Sequence, residues 1–293
     1  MSQNRRKRPV CHRTFALCEI LKAHLPALTS GHNETITMIK TGCVTLLLMA
    51  ASGASAQSHL DQVLQSNVLN VCTTGDYRPY SLLRANGRYE GIDVTMAQSL
   101  AASLNAQIKW VPTTWKTLMQ DFLDKHCDIA VGGISVTLKR QQSAWFASSL
   151  GSDGKIPLVR CVDKAQYRTV EQLNRTSVRL IEPAGGTNEA FVRTVLPRAS
   201  LTLFHDNVTI FQQLVNKKAD VMITDASEAQ YQQKHYPQLC AVNPQRPMQY
   251  GEKAWMLPRD DMSWKLYVDQ WLHLSLASGE YQKVAGEWLS SEK

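Results

Sequence analysis

From residue 57 onward the chain alternates short apolar runs with amphipathic stretches. A helix is predicted at His59–Gln65, followed by "VLNVCTTGDYRPYSL", which reads as a buried strand opening into a turn. "GIDVTMAQSLAASLNAQIKWVP" places Ala97, Leu100, Ala101 and Leu104 on one helical face. A strand follows at Ile108–Val111 and Pro112 stops it. A helix at Trp115–Leu123 and a strand at Asp128–Val131 continue the pattern. Strands alternating with helices imply an α/β architecture with a parallel sheet.

The same unit recurs 92 residues on, where "LMQDFLDKHCDIAVGG" (Leu118–Gly133) matches "IFQQLVNKKADVMITD" (Ile210–Asp225). Gln120 aligns with Gln212, Lys125 with Lys217 and Asp128 with Asp220, and the apolar positions track as well. Each copy has a helix, a tight turn and a buried strand opening into a polar loop. Ligands of open α/β sheets bind beyond the carboxyl ends of the strands, so two such lobes predict a cleft between them. The chain is expected to cross near Lys155–Val159 and to return near Asn243–Gln249. That division assigns 57–156 plus 246–293 to lobe 1 and 157–245 to lobe 2. The C-terminal run "WKLYVDQWLHLSLASGEYQKVAGEWL" reads as amphipathic helix, with Leu266, Trp271, Leu274 and Trp288 packing on the core.

The formal charge of +7 changes meaning once located. Residues 1–56 hold seven Lys or Arg and two acids, leaving 25 basic against 23 acidic residues beyond them. The basicity belongs mostly to the leader, and a nucleic-acid partner loses its main support. Within that leader, "MIKTGCVTLLLMAASGASAQ" has a Lys behind Met38, a short apolar run and small residues ending Ala54-Ser55-Ala56. This is the pattern of a signal peptide, 38–56, preceded by an upstream extension or misassigned start at 1–37. The apolar run is too short for a stable membrane span, so export to the periplasm is expected with no stable insertion after cleavage. Cys72, Cys127, Cys161 and Cys240 then remain in an oxidising compartment. Their spacing lacks a CxxC pair, and four free thiols stay an open reading. Cys161–Cys240 is the expected bridge, because each lies on a strand-like run of the second lobe.

Phosphate loops, HExxH and GxSxG are absent, and the five histidines after the leader (His59, His126, His205, His235, His273) lack ligand spacing. "GGTNEAF" (Gly185–Phe191) puts two glycines ahead of a predicted helix start, where free N–H groups favour an anion; a plain glycine turn is the alternative. "VMITDASEAQYQ" carries apolar residues straight into Asp225, with Glu228 three residues later. One acid can hold an amine, and a second can donate a proton.

Together "TTGDYRPYSL", "GIDVTMAQSLAASL", "VGGISVTLKRQQSAWFA", "GGTNEAF" and "KADVMITDASEA" resemble the periplasmic amino-acid-binding proteins. Within that superfamily they look most like the exported cyclohexadienyl dehydratases, over essentially all of residues 58–290. The resemblance implies a periplasmic-binding-protein-like fold, two α/β lobes with a cleft and two hinge crossings. It makes Arg140 the clamp for a ligand carboxylate, a role suited to its planar fork. Asp225 falls where binding proteins hold a ligand ammonium, and Trp115 and Tyr77 where aromatics line the cavity; as lone aromatics they are equally compatible with core. Glu228 is the discriminating residue, matching a glutamate of the dehydratases. Prephenate loses a ring hydroxyl and a ring carboxylate together, and hydroxide must be protonated as it leaves. A glutamate can do this when a desolvated cleft and a nearby carboxylate raise its pKa. Lys155, Ser135, Thr187 and Asp76 look like the matching polar lining. No metal or organic cofactor is implied. One departure is Pro183 in "PAGGTNE", where an asparagine is expected; Glu182 precedes it. The expected partners are small molecules, prephenate or arogenate. The alternative is a non-catalytic amino-acid-binding protein serving an ABC permease.

Overall fold

The structure, a computed structural model, describes residues 57–289. The expected extension and signal segment, 1–37 and 38–56, lie outside these residues.

Helix α1 (His59–Ser66) is capped by Ser58 and ended by Asn67 in the left-handed conformation, and β1 (Val68–Thr73) follows. A separate meander comprises β2 (Asp76–Tyr77), β3 (Ser81–Leu83) and β4 (Tyr89–Glu90). Helix α2 (Ile92–Ser103) buries Ala97, Leu100 and Ala101, with Leu104 buried at its C-cap, the face that the apolar spacing predicts. Next come β5 (Gln107–Pro112), α3 (Leu118–Leu123), β6 (Ile129–Ala130), α4 (Leu138–Gln141) and β7 (Ala144–Phe146). The second lobe holds β8 (Gly151–Arg160), α5 (Val170–Leu173), β9 (Arg179–Pro183), α6 (Thr187–Val195) and β10 (Ser200–Phe204). It continues through α7 (Ile210–Val215), β11 (Val221–Asp225), α8 (Ala226–His235), β12 (Leu239–Ala241) and β13 (Gln249–Lys253). β14 (Met256–Pro258), α9 (Met262–Ala277) and α10 (Glu280–Leu289) return to the first lobe.

The first sheet has the order β5-β1-β6-β14-β7 and the second β10-β9-β11-β8-β12, with β13 also on β8. β1 runs parallel to β5 and β6, and β9 parallel to β10 and β11, as strands joined through helices do. The parallel strands expected from the sequence form, and antiparallel strands join them in both sheets. β8 is antiparallel to β11, β12 and β13, and β14 to β6 and β7. A chain that changes sheets can enter a new one without a crossover helix, so nothing holds it to the parallel sense. The expected crossings fall on this antiparallel ribbon: Lys155–Val159 lies within β8, and Asn243–Gln249 leads into β13.

Each sheet is covered on both faces. Met96, Leu100, Trp255, Trp264 and Leu272 lie in the cluster on one side of the first sheet, and Leu118, Phe122, Ile134 and Met256 on the other. In the second sheet, Val221 and Ile223 face one cluster and Met222 the other, the period-2 alternation of a strand buried on both sides.

The internal repeat is structural. α3 and α7 end alike, with Lys125 and Lys217 in the left-handed region at φ 59° and 58°. Asp128 Oδ2 accepts the backbone N–H of Asn70 at 2.8 Å, and Asp220 Oδ2 accepts that of Arg179 at 3.1 Å. The matched aspartates thus lock each strand entry to its neighbour.

All four cysteines of the described residues are bridged. Cys161–Cys240 forms as expected, and Cys72–Cys127, which had no assigned partner, ties β1 to the entry of β6. The C-terminal expectation needs correcting. Gly279, at φ 82°, breaks the segment into two helices, and Leu266 and Leu274 point outward at 60% and 58% exposure. The buried stripe is Trp264, Val268, Leu272 and Ser275, while Trp271 and Trp288 pack beside it. This segment is apolar on most faces, so periodicity alone did not set the phase.

Candidate functional site

β11 is buried along all five residues and delivers Thr224 and Asp225 to its carboxyl end, with Glu228 in the first turn of α8. Asp225 occupies the N-cap position of α8 but does not cap it. Asp153, from β8, does so instead, accepting Ser227 N–H at 3.1 Å and Ser227 Oγ–H at 2.5 Å. An aspartate at an N-cap normally spends its oxygens on the helix. Here the cap comes from another strand, and the Asp225 carboxylate is released into the site.

Its oxygens are taken by two ammonium groups of the protein. Lys155 Nζ pairs with Oδ1 at 2.8 Å; Oδ2 pairs with Lys253 Nζ and accepts Tyr77 O–H at 2.7 Å. Burial alone would raise the Asp225 carboxyl, but the two lysines hold it well below the usual carboxylate range. Lys155 also donates to Thr187 Oγ1 at 2.9 Å and to Asn188 Oδ1, and burial pulls its ammonium down against the attraction of Asp225. Lys253 donates to Ser135 Oγ at 3.0 Å and lies 4.8 Å from the Tyr77 ring centroid.

Glu228 is fully buried. Its Oε2 accepts Thr224 Oγ–H, and Oε1 has no partner. Thr224 Oγ1 in turn accepts from Asn188 Nδ2 at 3.4 Å, which links Glu228 to Lys155 through two side chains. Burial, reinforced by the negative charge of Asp225, pushes the Glu228 carboxyl up to about 8 against the Thr224 hydrogen bond and Lys253. Glu228 therefore carries a proton at neutral pH.

The opposite wall comes from the first lobe. Arg140, in α4, donates to Ser135 carbonyl oxygen at 2.8 Å, and burial lowers its guanidinium to about 10, still a cation at neutral pH. Trp115 meets Tyr77 edge-on at 5.4 Å between centroids. Asp76 lies beside them; burial pushes its carboxyl up, and Oδ1 has no partner. Gly133, at φ 71°, admits the rings of Tyr77 and Tyr80, since a Cβ there would lie within 2.8 Å of both. The nine residues expected from the sequence are linked by a chain of side-chain contacts between the lobes, with Thr187 donating to Ser135 Oγ at 3.4 Å.

Two local readings change. Gly185 brings the backbone against the other lobe, since a Cβ there would sit 2.6 Å from Lys116 Cα. Pro183 is buried at the end of β9, where its ring offers no hydrogen bond, so the role expected of an asparagine is not filled from this position. Glu182 beside it is fully buried. Its Oε1 accepts Ile223 N–H, Oε2 is unpartnered, and burial pushes the carboxyl well up. Lys253, Asn188, Thr224, Asp153 and Glu182 were not among the predicted site residues. Asn188 and Thr224 flank residues that were, but nothing in "YGEKAWML" marks Lys253.

The family model described as bacterial extracellular solute-binding proteins, family 3, matches residues 69–291. A cyclohexadienyl dehydratase of Pseudomonas aeruginosa is 49% identical over 243 residues, covering 83% of this chain and 90% of that protein. Among solved structures, an ancestral cyclohexadienyl dehydratase is 43% identical with a TM-score of 0.52, covering 80% of this chain and 98% of its own. An ancestral amino-acid-binding protein, described as a precursor of cyclohexadienyl dehydratase, is 27% identical with a TM-score of 0.73, covering 80% of this chain and all of its own.

Proposed function

The chain belongs to the bacterial extracellular solute-binding proteins, family 3, and we propose that within this family it is a periplasmic cyclohexadienyl dehydratase. Prephenate, arogenate or both are converted by concerted loss of water and carbon dioxide, prephenate to phenylpyruvate and arogenate to phenylalanine. The observation that carries this reading is Glu228: a fully buried carboxyl that keeps its proton at neutral pH, beside the Asp225 carboxylate that Lys155 and Lys253 hold.

As the bond from the ring to its carboxylate breaks, its electron pair enters the ring and carbon dioxide departs. The ring becomes aromatic and the carbon–oxygen bond on the far side breaks. The leaving hydroxide takes the proton of Glu228 and departs as water, which leaves Glu228 ionised until it recovers a proton from solvent. Arg140 and Lys155 hold the substrate carboxylates, and Thr187 and Ser135 complete their hydrogen bonds. Asp225 serves by keeping Lys155 and Lys253 in place. Trp115 and Tyr77 pack against the ring, and Asp76 is positioned for its hydroxyl. Desolvation in the closed cleft strengthens each of these contacts.

Purified protein mixed with prephenate at neutral pH tests the reading, with phenylpyruvate followed by its absorbance in alkali against an enzyme-free control. Many turnovers per molecule support it. Product no faster than the control, together with a melting shift caused by a common amino acid, would instead make this a binding protein for an ABC permease.

A further inference from the structure

We propose that Asp153 is a positioning residue for the proton donor: by capping α8 from the crossing ribbon it fixes the turn that carries Glu228 and leaves Asp225 to the lysines. From Gly151 to Gly154, β8 pairs with β13 alone, and it gains β11 as a neighbour at Lys155. Asp153 thus belongs to the two-stranded ribbon ahead of the second sheet. Alternation along the strand turns Asp153 and Lys155 to one side, where they meet Ser227 and Asp225, two residues apart at the start of α8. Gly154 between them, at φ 155°, has no room for a side chain, since a Cβ would lie 2.2 Å from the Gln249 carbonyl oxygen. Asp153 Oδ1 also accepts Gly154 N–H at 2.9 Å, which fixes the carboxylate from its own strand. Asp225 has the extended backbone of a capping residue, φ −75° and ψ 150°, and would serve α8 only by turning from Lys155 and Lys253.

Glu228 is the third residue of α8, inside the turn that this cap holds. The outer side of the turn borders a cavity of about 680 Å³ lined by Ser152, Asp153, Ala226, Ser227 and Tyr281, so no packing there replaces a lost cap. The titratable neighbours that act on Glu228 are Asp225 on β11, Lys253 on β13, Asp76 and Tyr77 on β2 and Glu182 on β9. Lys155 and Asp153 of β8 adjoin through Asp225 and Ser227. With the turn fixed, burial keeps the proton on Glu228 up to about pH 8. A loosened turn admits water from the cavity and returns the carboxyl toward its ordinary 4.5.

The kinetic half of the inference rests on the dehydratase reading, whereas the structural half does not. The test compares wild type, Asp153→Ala, Asp153→Asn and Ser227→Ala by prephenate kinetics across the alkaline range. Infrared titration of the buried carboxyl, assigned with Glu228→Gln, and amide exchange at Ser227 and Glu228 accompany it. Asp153→Ala is expected to lower kcat roughly 10- to 100-fold with KM little changed. Its alkaline limb and carboxyl titration should move down from about 8 by about one unit, with faster exchange at both amides. Asp153→Asn, whose amide oxygen still accepts Ser227 N–H, restores most of kcat and of the limb. Ser227→Ala keeps the N–H bond, loses the hydroxyl bond and falls between. A merely structural role would lower the melting temperature and leave the limb in place. The proposal is overturned if folded Asp153→Ala keeps the wild-type limb. It is overturned equally if Asp153→Asn falls as far as Asp153→Ala, which would make charge and not the cap responsible. Should Asp153→Ala not fold, Ser227→Ala decides, and an unmoved limb with unchanged exchange overturns the proposal. If wild type turns over no prephenate, the dehydratase reading falls, and the carboxyl titration and amide exchange still decide the role of Asp153.

Discussion

Glu228 lies in the first turn of a helix, where the helix dipole favours an ionised carboxylate by about 0.3–1 kcal/mol. Full burial costs a charge far more than that, and the Asp225 carboxylate adds to the cost, so the proton stays until about pH 8. The acid form is the active form of a proton donor. We expect kcat to be level through neutral pH and to fall as pH rises past about 8. Glu228→Gln should lower kcat by roughly 10²–10⁴-fold and remove that limb, with substrate affinity little changed. Single-turnover rates and equilibrium binding measure the two parts, and undiminished turnover would remove Glu228 from the chemistry. The same carboxyl sets a sign for stability. The folded chain keeps this proton from its ordinary 4.5 up to about 8 while the unfolded chain releases it, so its contribution is lost as pH climbs through that window. Asp225 works oppositely, contributing stability that fades as pH drops below the ordinary carboxylate range.

At the level of elements, the repeat places equivalent helix, turn and strand units in the two lobes, and each lobe carries one disulfide. The bridges span 55 and 79 residues, for which loop-closure entropy gives about 4 kcal/mol each. Replacing Cys161 and Cys240 together by Ala should therefore lower the melting temperature by roughly 10 °C. A melting curve within about a degree of wild type would show that the bridge adds nothing to the fold. Apolar spacing predicted α1, the buried face of α2 and the strands of both repeats, because those segments have a single apolar face or a single buried run. It misplaced the C-terminal stripe, where Leu266 and Leu274 are as apolar as the residues that are buried. There the phase follows from what α2 and the first sheet offer for packing.

For the molecule as a whole, the cleft is held by a few contacts between lobes. Tyr77 donates to Asp225, Thr187 to Ser135, and Asn207 Nδ2 to the Asp76 carbonyl oxygen at 3.0 Å. Asn207 is buried and reaches only backbone across the cleft. Asn207→Ala removes one hydrogen bond from the closed form, about 1 kcal/mol, so KM should rise about fivefold with kcat nearly unchanged. X-ray scattering of the variant should show a larger radius of gyration than wild type; an unchanged KM and radius would mean this contact does not hold the cleft closed.

The sequence alone determined the alternation of strands and helices, the repeat, and the placing of Asp225 at a strand end with Glu228 three residues beyond it. Each of these is written in spacing along the chain, where side-chain period reports which face is buried. Tertiary structure decided the rest. Tyr77 meets Asp225 across 148 residues, Asp153 takes over the cap of α8 from 74 residues away, and Lys253 fills Asp225 from an unmarked strand. No periodicity encodes such partners, because they are chosen by which strands end together. The charge of Glu228 follows from the same packing, since an acid's proton depends on the water it loses and the charges it meets, and only the folded chain sets both.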